Sequence, residues 1–324
     1  MNLSYLFTKK INLSIDDTMA NSIKRTFIPG DTWIYFKLYT GYKTADEVLG
    51  KTLPVIVRRL TAVLDKWFFI RYSDPKFHLR LRFCVKDIKD ISAVISIVNQ
   101  EITPYLDNDL IWKVQIDTYQ RELERYGTKT ITHAEAIFHF DSEATMDILS
   151  TFGDEETGHE RWLMALKILD ALLCDFEFDI DQKIALLGKL SRDFKSEFGF
   201  NIKGYKLQLD KKYRANRKLI EEIMAMAENG QENAAIEKII RQRSLKIKPV
   251  AKTLMQLALK QELEVPLNNL LSSYVHMMVN RLFRSKQRLY EMVIYDMLER
   301  HYSSVKARNK YHSLEVVQDI TGVM

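Results

Sequence analysis

The amino-acid sequence predicts an α+β protein in which an N-terminal antiparallel or mixed sheet with helices is followed by a mainly helical C-terminal half. Runs rich in aromatic and β-branched residues, typical of strands, occur before residue 120. From about residue 157 onward, apolar residues recur mostly at helical spacing. Strands and helices do not alternate regularly, which favours an α+β arrangement over a parallel sheet of βαβ units.

The first half of the chain contains the predicted sheet. Residues 1–29 form an irregular lead-in that ends at a Pro-Gly turn. Strands are predicted at residues 33–39, 67–72, 78–85 and 112–119. The turn-forming segment 73–76 joins the second and third strands into a hairpin. A helix at 44–65, which Pro54 either bends or splits in two, and another at 90–101 separate the strands.

Helices dominate the second half. They are predicted at residues 132–151, over most of 157–297, at 203–228 before the helix-breaking pair Asn229-Gly230, and at 267–300 after Pro266. No internal repeat and no low-complexity segment interrupts this pattern. The second half is therefore expected to pack as helices around the sheet of the first half.

The composition excludes several broad classes of protein. Hydrophobic residues make up 46% and charged residues 28% of the 324 residues, as in folded globular proteins rather than disordered ones. No apolar run approaches the roughly 20 residues that cross a bilayer, and no signal peptide is recognised. Cys84 and Cys174 are interpreted as buried free thiols of a reducing compartment, which predicts a cytoplasmic protein without structural zinc.

The net charge of +5 is spread along the chain instead of forming the basic stripe typical of nucleic-acid-binding proteins. An acidic peptide is therefore at least as suitable a partner as RNA. Motifs for dinucleotide binding, for a phosphate-binding loop, for a zinc-protease helix and for a serine-hydrolase elbow are all absent from the sequence. The sequence therefore gives no support for a nucleotide-binding enzyme, a zinc protease or a serine hydrolase.

The third predicted strand is the most informative stretch. Side chains alternate between the two faces of a strand, so Leu79 and Leu81 face the core while His78, Arg80 and Arg82 face the other way. One interpretation is a solvated outer face. The other is an anion site, because two guanidinium groups about 7 Å apart repel each other unless an anion lies between them. Two interpretations remain open for Arg71 on the paired strand: it contributes to this anion site, or it forms an ion pair with Asp74.

A second candidate stretch contains Glu122, Arg125 and Tyr126. Glu122 and Arg125 are three residues apart and can form an ion pair within one helical turn. The alternative is a surface ion pair of little energetic value. Gly127 predicts a turn that orients Arg125 and Tyr126.

A third candidate stretch surrounds His276, with Asn280 four residues later on the same helical face and Arg281 next to it. Histidine titrates near neutral pH, so His276 is the best candidate for a general acid or base. The alternative is a core histidine whose hydrogen bonds are satisfied.

Five stretches, in this order, together resemble one known family. They are residues 33–41, 67–83, 122–127, 138–142 and 274–283. The sequence resembles the C-terminal domain of lantibiotic dehydratases, which also occurs alone in thiopeptide-type bacteriocin biosynthesis proteins. The resemblance covers roughly residues 30–300, which defines one predicted domain between the lead-in and a C-terminal tail at 301–324.

The resemblance implies a lyase. Members of this family remove glutamate from glutamylated Ser or Thr of a ribosomally made precursor peptide, leaving dehydroalanine or dehydrobutyrine. It implies Arg80, Arg82, Arg125 and His276 as catalytic residues and no cofactor or metal. Side chains assigned to substrate binding or support are His78, Arg71, Glu122, Tyr126, Asn280 and Arg281.

The large glutamylation domain of the full-length enzymes has no counterpart here, so the resemblance implies a stand-alone elimination subunit. Its partners would be the precursor peptide, with leader and core, and a separate glutamyl-tRNA-dependent glutamylation protein. Direct tRNA binding is not expected, and homodimerisation is left open. Two alternatives remain: a thiopeptide-type [4+2] cyclisation enzyme that forms a pyridine ring, and a non-catalytic module that delivers the peptide, for example by strand addition at a sheet edge.

Overall fold

A computed structural model of the chain describes residues 23–152, 159–197, 203–225 and 234–321. Within these ranges every strand lies before residue 121 and every element from Ile131 onward is a helix. The predicted fold class, an antiparallel sheet with helices followed by a mostly helical second half, is confirmed.

Six strands and eleven α-helices make up the described part of the chain. The strands are β1 (Thr26–Phe27), β2 (Trp33–Thr40), β3 (Leu64–Ser73), β4 (Phe77–Val85), β5 (Ile111–Asp117) and β6 (Tyr119–Gln120). The helices are α1 (Tyr42–Glu47), α2 (Leu53–Leu60), α3 (Ile91–Asp107), α4 (Leu123–Tyr126), α5 (Ile131–Thr151), α6 (His159–Asp175), α7 (Ile180–Glu197), α8 (Lys203–Ala225), α9 (Ala234–Leu259), α10 (Leu267–Leu282) and α11 (Gln287–Thr321).

A four-stranded antiparallel sheet in the order β3-β4-β2-β5 forms the centre of the first half, and β1 and β6 form a separate two-stranded ribbon. The alternation of β4 places Leu79, Leu81 and Phe83 in a core with α2 and α3, as predicted. The opposite face carries Arg80 and Arg82. It is the face turned towards the helical half, because its aromatic neighbours belong to the core of that half.

Side chains from α5 and α10 satisfy the backbone along the outer edge of β3. His139 lies within hydrogen-bond distance of the backbone of Trp67, and the Ser142 hydroxyl accepts from the N–H of Phe69. Asn280 bonds both the N–H and the carbonyl of Arg71. An edge strand is thereby closed to further pairing, and α10 is fixed against the hairpin.

Two predicted helices differ from the observed ones. The helix predicted at 44–65 ends at Leu60, and a π-helical segment, Val48–Thr52, joins α1 to α2 without a break, so Pro54 lies at the start of α2. The helix predicted at 267–300 is two helices. Phe283 is extended and buried, and its ring stacks on Tyr290 at 4.2 Å, so tertiary packing overrides helix propensity there.

Other expectations need correction or lie outside the described residues. Cys174 is exposed and Cys84 is half-buried, although both are free thiols. Cys174 projects from α6 beside its buried leucine stripe, with its Sγ near Lys183. Residues 23–29 of the predicted lead-in include β1, and α11 continues through 301–321. The rest of the lead-in and the Asn229-Gly230 pair fall outside the described ranges.

Candidate functional site

One face of the sheet gathers positive charge, and we call it the cationic face: Tyr35, Lys37, Arg80, Arg82 and Asp117. The register pairs Arg82 with Tyr35 and Arg80 with Lys37 across β4 and β2, and Tyr35 with Asp117 across β2 and β5. Directly paired residues of antiparallel strands share a face. Lys37 forms an ion pair with Asp117, whose pKa is lowered by that hydrogen bond. Three cations thus face one carboxylate.

Arg82 lies at the buried end of this face, and its residue is only 7% exposed. Its guanidinium carbon lies 4.6 Å from the ring centre of Tyr35, 4.8 Å from that of Tyr119 and 5.2 Å from that of Phe68. Burial lowers the pKa of Arg82, yet an arginine stays protonated at neutral pH. The Nε–H of Arg82 has no hydrogen-bond partner among the described residues, so one donor is left over.

Arg80 is held by its neighbours on the same face. Its guanidinium carbon lies 3.3 Å from the ring centre of Tyr72, and its Nε donates to Nε2 of His78 at 3.1 Å. The other ring nitrogen of His78 lies 2.9 Å from the carbonyl of Lys76, which fits a neutral ring that donates from Nδ1 and accepts at Nε2. Burial, with Arg80 adding to it, lowers the pKa of His78. The hydrogen bond to His78 therefore fixes the orientation of the Arg80 guanidinium.

Neither Arg80 nor Arg82 has a carboxylate within ion-pair distance in the part of the chain that the structure describes. The two side chains are two residues apart on one strand face, which separates their bases by about 7 Å. A carboxylate-bearing ligand would satisfy both, since guanidinium groups bind carboxylates through paired hydrogen bonds. We therefore take this pair of arginines as the candidate anion site.

The short helix α4 brings a third arginine towards this region. Nε of Arg125 donates to Oγ of Ser273 on α10 at 3.0 Å, and an Nη of Arg125 lies 3.4 Å from Glu122, so the predicted ion pair forms. Tyr126 is buried and its ring stacks on Tyr274. Burial raises the pKa of Tyr126 to about 12, while the nearby charge of Arg125 acts in the opposite direction.

Gly127 ends α4 and makes this docking possible. Its φ is +77°, a conformation that favours glycine, and a Cβ there would come within 2.8 Å of Oγ1 of Thr130. The turn predicted at Gly127 is therefore confirmed.

His276 lines a cleft of about 650 Å³. One wall consists of Tyr72, Ser73 and Phe77 from the tip of the hairpin, and another is the connection between α10 and α11. Because the ring of Tyr72 also packs on Arg80, the cleft borders the cationic face. Nδ1 of His276 lies 2.7 Å from Oε1 of Glu291. The structure thus brings the imidazole to the hairpin that carries Arg80 and Arg82.

Three residues assigned to substrate binding are held in structural contacts. Arg71 is 4% exposed, lies on the sheet face opposite Arg80 and pairs with Asp46 at 2.6 Å rather than with Asp74. Arg281 has no exposed surface and donates to the carbonyl of Phe69, and burial lowers its pKa to about 10. Asn280, described above, fixes the edge of β3. The guanidinium groups of Arg71 and Arg281 are therefore not included in the substrate site proposed below.

Four residues of this region were missed by the sequence reasoning. Tyr35, Lys37 and Asp117 alternate along their strands like Arg80 and Arg82, but only the strand register shows that they share a face. Glu291 is fifteen residues from His276 in sequence, a spacing that gives no signal. Within the described ranges, no group of three or more His, Cys, Asp and Glu side chains could hold a metal ion, and no helix is long and apolar enough to cross a membrane.

Comparison with known sequences gives one family and two relatives. The sequence model of the family described as "Lantibiotic biosynthesis dehydratase C-term" matches residues 33–302. The nisin biosynthesis protein NisB of Lactococcus lactis subsp. lactis is 32% identical over 133 residues, 40% of this chain and 13% of NisB. The subtilin biosynthesis protein SpaB of Bacillus subtilis is 24% identical over 189 residues, 57% of this chain and 18% of SpaB. The aligned regions thus cover less than a fifth of either relative.

Three solved structures share the fold. The tRNA dependent lantibiotic dehydratase MibB from Microbispora sp. 107891 has a TM-score of 0.63 and 20% identity, over 86% of this chain and 29% of that one. The pyridine synthase TbtD from thiomuracin biosynthesis has a TM-score of 0.64 and 12% identity, over 85% and 99%. TsrL has a TM-score of 0.60 and 14% identity, over 84% and 95%. At these identities the similarity shows the fold alone.

Proposed function

The chain belongs to the family of the lantibiotic biosynthesis dehydratase C-terminal domain, and from that membership we propose that it eliminates glutamate from glutamylated Ser and Thr residues of a ribosomally made precursor peptide. The products would be dehydroalanine and dehydrobutyrine. The observation that carries the proposal is that Arg80 and Arg82, without a carboxylate partner among the described residues, lie on a face bordering the cleft of His276.

The reaction requires a base, a stabilising group for the carbonyl oxyanion and a stabilising group for the leaving carboxylate. A base takes the Cα proton of the glutamylated residue, the electron pair left behind forms the Cα=Cβ double bond, and the Cβ–O bond breaks to release glutamate as a carboxylate. Negative charge develops first on the peptide carbonyl next to Cα and then on the departing carboxylate. Arginines suit both positions, since they hold oxyanions without losing their own proton. An imidazole suits the proton transfer.

The surroundings of Arg82 strengthen its contribution. Aromatic rings and low exposure keep water away from its guanidinium, so a bound carboxylate interacts with it more strongly than it would in bulk solvent. The unused Nε–H supplies a hydrogen bond that no described protein group takes. Arg80 is more exposed and packs on Tyr72, which forms part of the wall of the cleft. We assign Arg82 to an oxyanion of the reacting ester and Arg80 to a carboxylate of the glutamyl group.

The substrate implies partners. A glutamylated peptide has to be made by an earlier group-transfer reaction, which we assign to a separate glutamyl-tRNA-dependent protein that shares the precursor peptide. That assignment places this chain in the cytoplasm, without tRNA contact of its own. The pairing of one elimination protein with one glutamylation protein remains part of the proposal.

A second candidate function is the formal [4+2] cyclisation of two dehydroalanine residues. The observation in its favour is that the structural match with the pyridine synthase TbtD extends over 99% of that protein. Elimination is favoured because the family resemblance assigns it to Arg80, Arg82, Arg125 and His276. Among these, His276 lies on α10 and lines the cleft, Arg125 donates to Ser273 of α10, and Arg80 packs on Tyr72 of the cleft wall.

Two substrates decide between these functions. The purified protein is incubated with a precursor peptide that carries one glutamyl ester on serine, and, separately, with the bis-dehydrated peptide. Mass spectrometry of the first reaction should show loss of one glutamic acid from each ester, with no change in the unmodified peptide. A macrocycle and a released leader peptide in the second reaction, without glutamate loss in the first, would replace elimination by cyclisation.

A further inference from the structure

The proposed reaction leaves the contact between His276 and Glu291 unexplained. Glu291 lies in the second turn of α11 and is completely buried, whereas the imidazole of His276 is 26% exposed at the cleft. Nδ1 is the ring nitrogen that faces the carboxylate. Nε2 has no hydrogen-bond partner in the described part of the chain. The ring thus has one buried, paired nitrogen and one that is available.

A short network holds the carboxylate in place. Nε2 of Gln287 donates to Oε1 of Glu291 at 2.7 Å, and Oε1 of Gln287 accepts from Nδ2 of Asn280 at 2.6 Å. Asn280 in turn bonds the backbone of Arg71 on β3. The position of the imidazole is therefore linked, through four side chains, to the hairpin that carries the cationic face.

The buried carboxylate is costly unless a partner offsets its charge. Among the described residues, His276 is the one cationic or titratable base within ion-pair distance of Glu291. Leucine would fill the same space between α10 and α11 without that cost. A buried carboxylate whose ion-pair partner is a partly exposed imidazole is therefore better explained by its effect on the imidazole than by packing.

We infer that Glu291 is a positioning residue that fixes the tautomer of His276. Nε2 of Gln287, a donor, also lies 3.4 Å from Nδ1, but Oε1 of Glu291 is closer, at 2.7 Å, and the Gln287 amide donates to that carboxylate. A carboxylate only accepts hydrogen bonds, so a neutral His276 beside it carries its proton on Nδ1. The lone pair of Nε2 then takes the Cα proton of the substrate, the Cα–H electrons form the double bond, and glutamate leaves with the Cβ–O electrons. Glu291 stabilises the imidazolium so formed. The identity of that proton rests on the proposed function, whereas the tautomer does not.

The test uses the full chain, Glu291→Gln and a matched control. The control is Asp296→Asn, because Asp296 is also a buried carboxylate of α11 but pairs with Lys195 and Arg300 instead of a histidine. Two-bond ¹⁵N–¹H correlation spectra of histidine-labelled protein report which ring nitrogen of His276 carries the proton. His276→Ala identifies its signals. Steady-state glutamate release gives kcat and KM, and Glu291→Asp tests rescue by a carboxylate.

The inference predicts an Nδ1–H tautomer in the wild-type protein and a loss of that preference in Glu291→Gln. It also predicts a kcat at least about tenfold lower in Glu291→Gln with little change in KM, part of the 10²–10⁴-fold that a positioned base contributes. Partial recovery is expected in Glu291→Asp, and a wild-type kcat per folded molecule in Asp296→Asn. An Nε2–H tautomer in the wild type, or an unchanged kcat in Glu291→Gln, overturns the inference. An Nδ1–H tautomer in a protein that releases no glutamate overturns the proposed reaction and leaves the positioning role standing.

Discussion

Two arginines on adjacent strands of one hairpin have almost the same burial and opposite surroundings. Arg71 on β3 is 4% exposed and Arg82 on β4 is 7% exposed. Arg71 pairs with Asp46 and donates to the carbonyl of Arg281, whereas Arg82 is surrounded by aromatic rings and keeps an unused donor. Burial alone therefore does not distinguish these two arginines. They differ in whether the protein itself supplies a counter-charge.

The same division holds for other buried arginines. Each of four pairs with a carboxylate of the protein: Arg121 with Glu135, Arg161 with Asp46, Arg243 with Asp141, and Arg281 with Asp141. The pairs of Arg161, Arg243 and Arg281 join elements more than a hundred residues apart in sequence, so they contribute to the fold. On the cationic face, by contrast, the counter-charge is expected to arrive with the substrate. Substitutions at paired arginines or their carboxylates should therefore change stability, whereas substitutions on the cationic face should change kcat or KM.

The largest effect on stability is expected for Asp46→Asn. This carboxylate neutralises Arg71 and Arg161 between α1, β3 and α6, and breaking a buried pair costs about 3–5 kcal/mol of unfolding free energy. Urea denaturation at neutral pH measures the loss. Asp117→Asn serves as the control, since its ion pair is partly exposed and should contribute less than about 1 kcal/mol.

The same carboxylate makes stability depend on pH. Burial alone would raise the pKa of Asp46, but the charges of Arg71 and Arg161 outweigh it, so the pKa lies below its ordinary value of 3.8. A group with a lowered folded-state pKa stabilises the fold above its unfolded pKa and loses that contribution as the pH falls through the folded one. Wild-type stability should fall below about pH 4 more steeply than that of Asp46→Asn. Equal slopes would mean that Asp46 is not the group responsible.

An intermediate effect, on catalysis, is expected for Arg125→Met. The substitution removes the guanidinium that α4 presents to α10, and loss of one oxyanion-stabilising donor lowers kcat by about 10²-fold. Glutamate release by the folded variant is the measurement. Ser273→Ala removes the hydrogen bond from Arg125 but keeps the charge, so it should retain most of the activity. A Ser273→Ala defect as large as that of Arg125→Met would assign Arg125 to docking of α4 alone.

The smallest effect is expected for Asp117→Asn in the glutamate-release assay. Removing the carboxylate beside Lys37 makes the cationic face more positive, so KM for the glutamylated peptide should fall about threefold at low salt and less at high salt. Glu124→Gln makes the same charge change on α4, where Glu124 pairs with Arg25, and should leave KM unchanged. An equal fall in both variants would indicate net charge rather than a local site.

The sequence is sufficient for local features and insufficient for those that depend on long-range packing. The alternation of Leu79, Arg80, Leu81 and Arg82 predicts both faces of β4, and the spacing of Glu122 and Arg125 predicts their ion pair, because each follows from the geometry of one element. The partner of Arg71 could not be predicted, because Asp46 meets it only when α1 packs against β3.

Two further features depend on tertiary contacts that leave no local pattern. The break between α10 and α11 arises where Phe283 turns inward to stack on Tyr290. Residues 283–287 contain no proline or glycine that would predict this break from the sequence. The contact of Glu291 with His276 forms only because that break folds α11 back against α10. The candidate acid or base was therefore recognisable from sequence, and the group that orients it was not.

The most direct test compares Arg82→Met with Arg71→Met in one experiment, measuring urea stability and glutamate release per folded molecule. Arg82→Met should keep its stability, because methionine suits an aromatic enclosure, and lose about 10²–10³-fold in kcat. Arg71→Met should lose about 3 kcal/mol of stability, because Asp46 loses a buried partner, and keep its turnover. Release of glutamate by Arg82→Met at the wild-type rate, or equal loss of stability in both variants, would contradict the division between paired and ligand-accepting arginines.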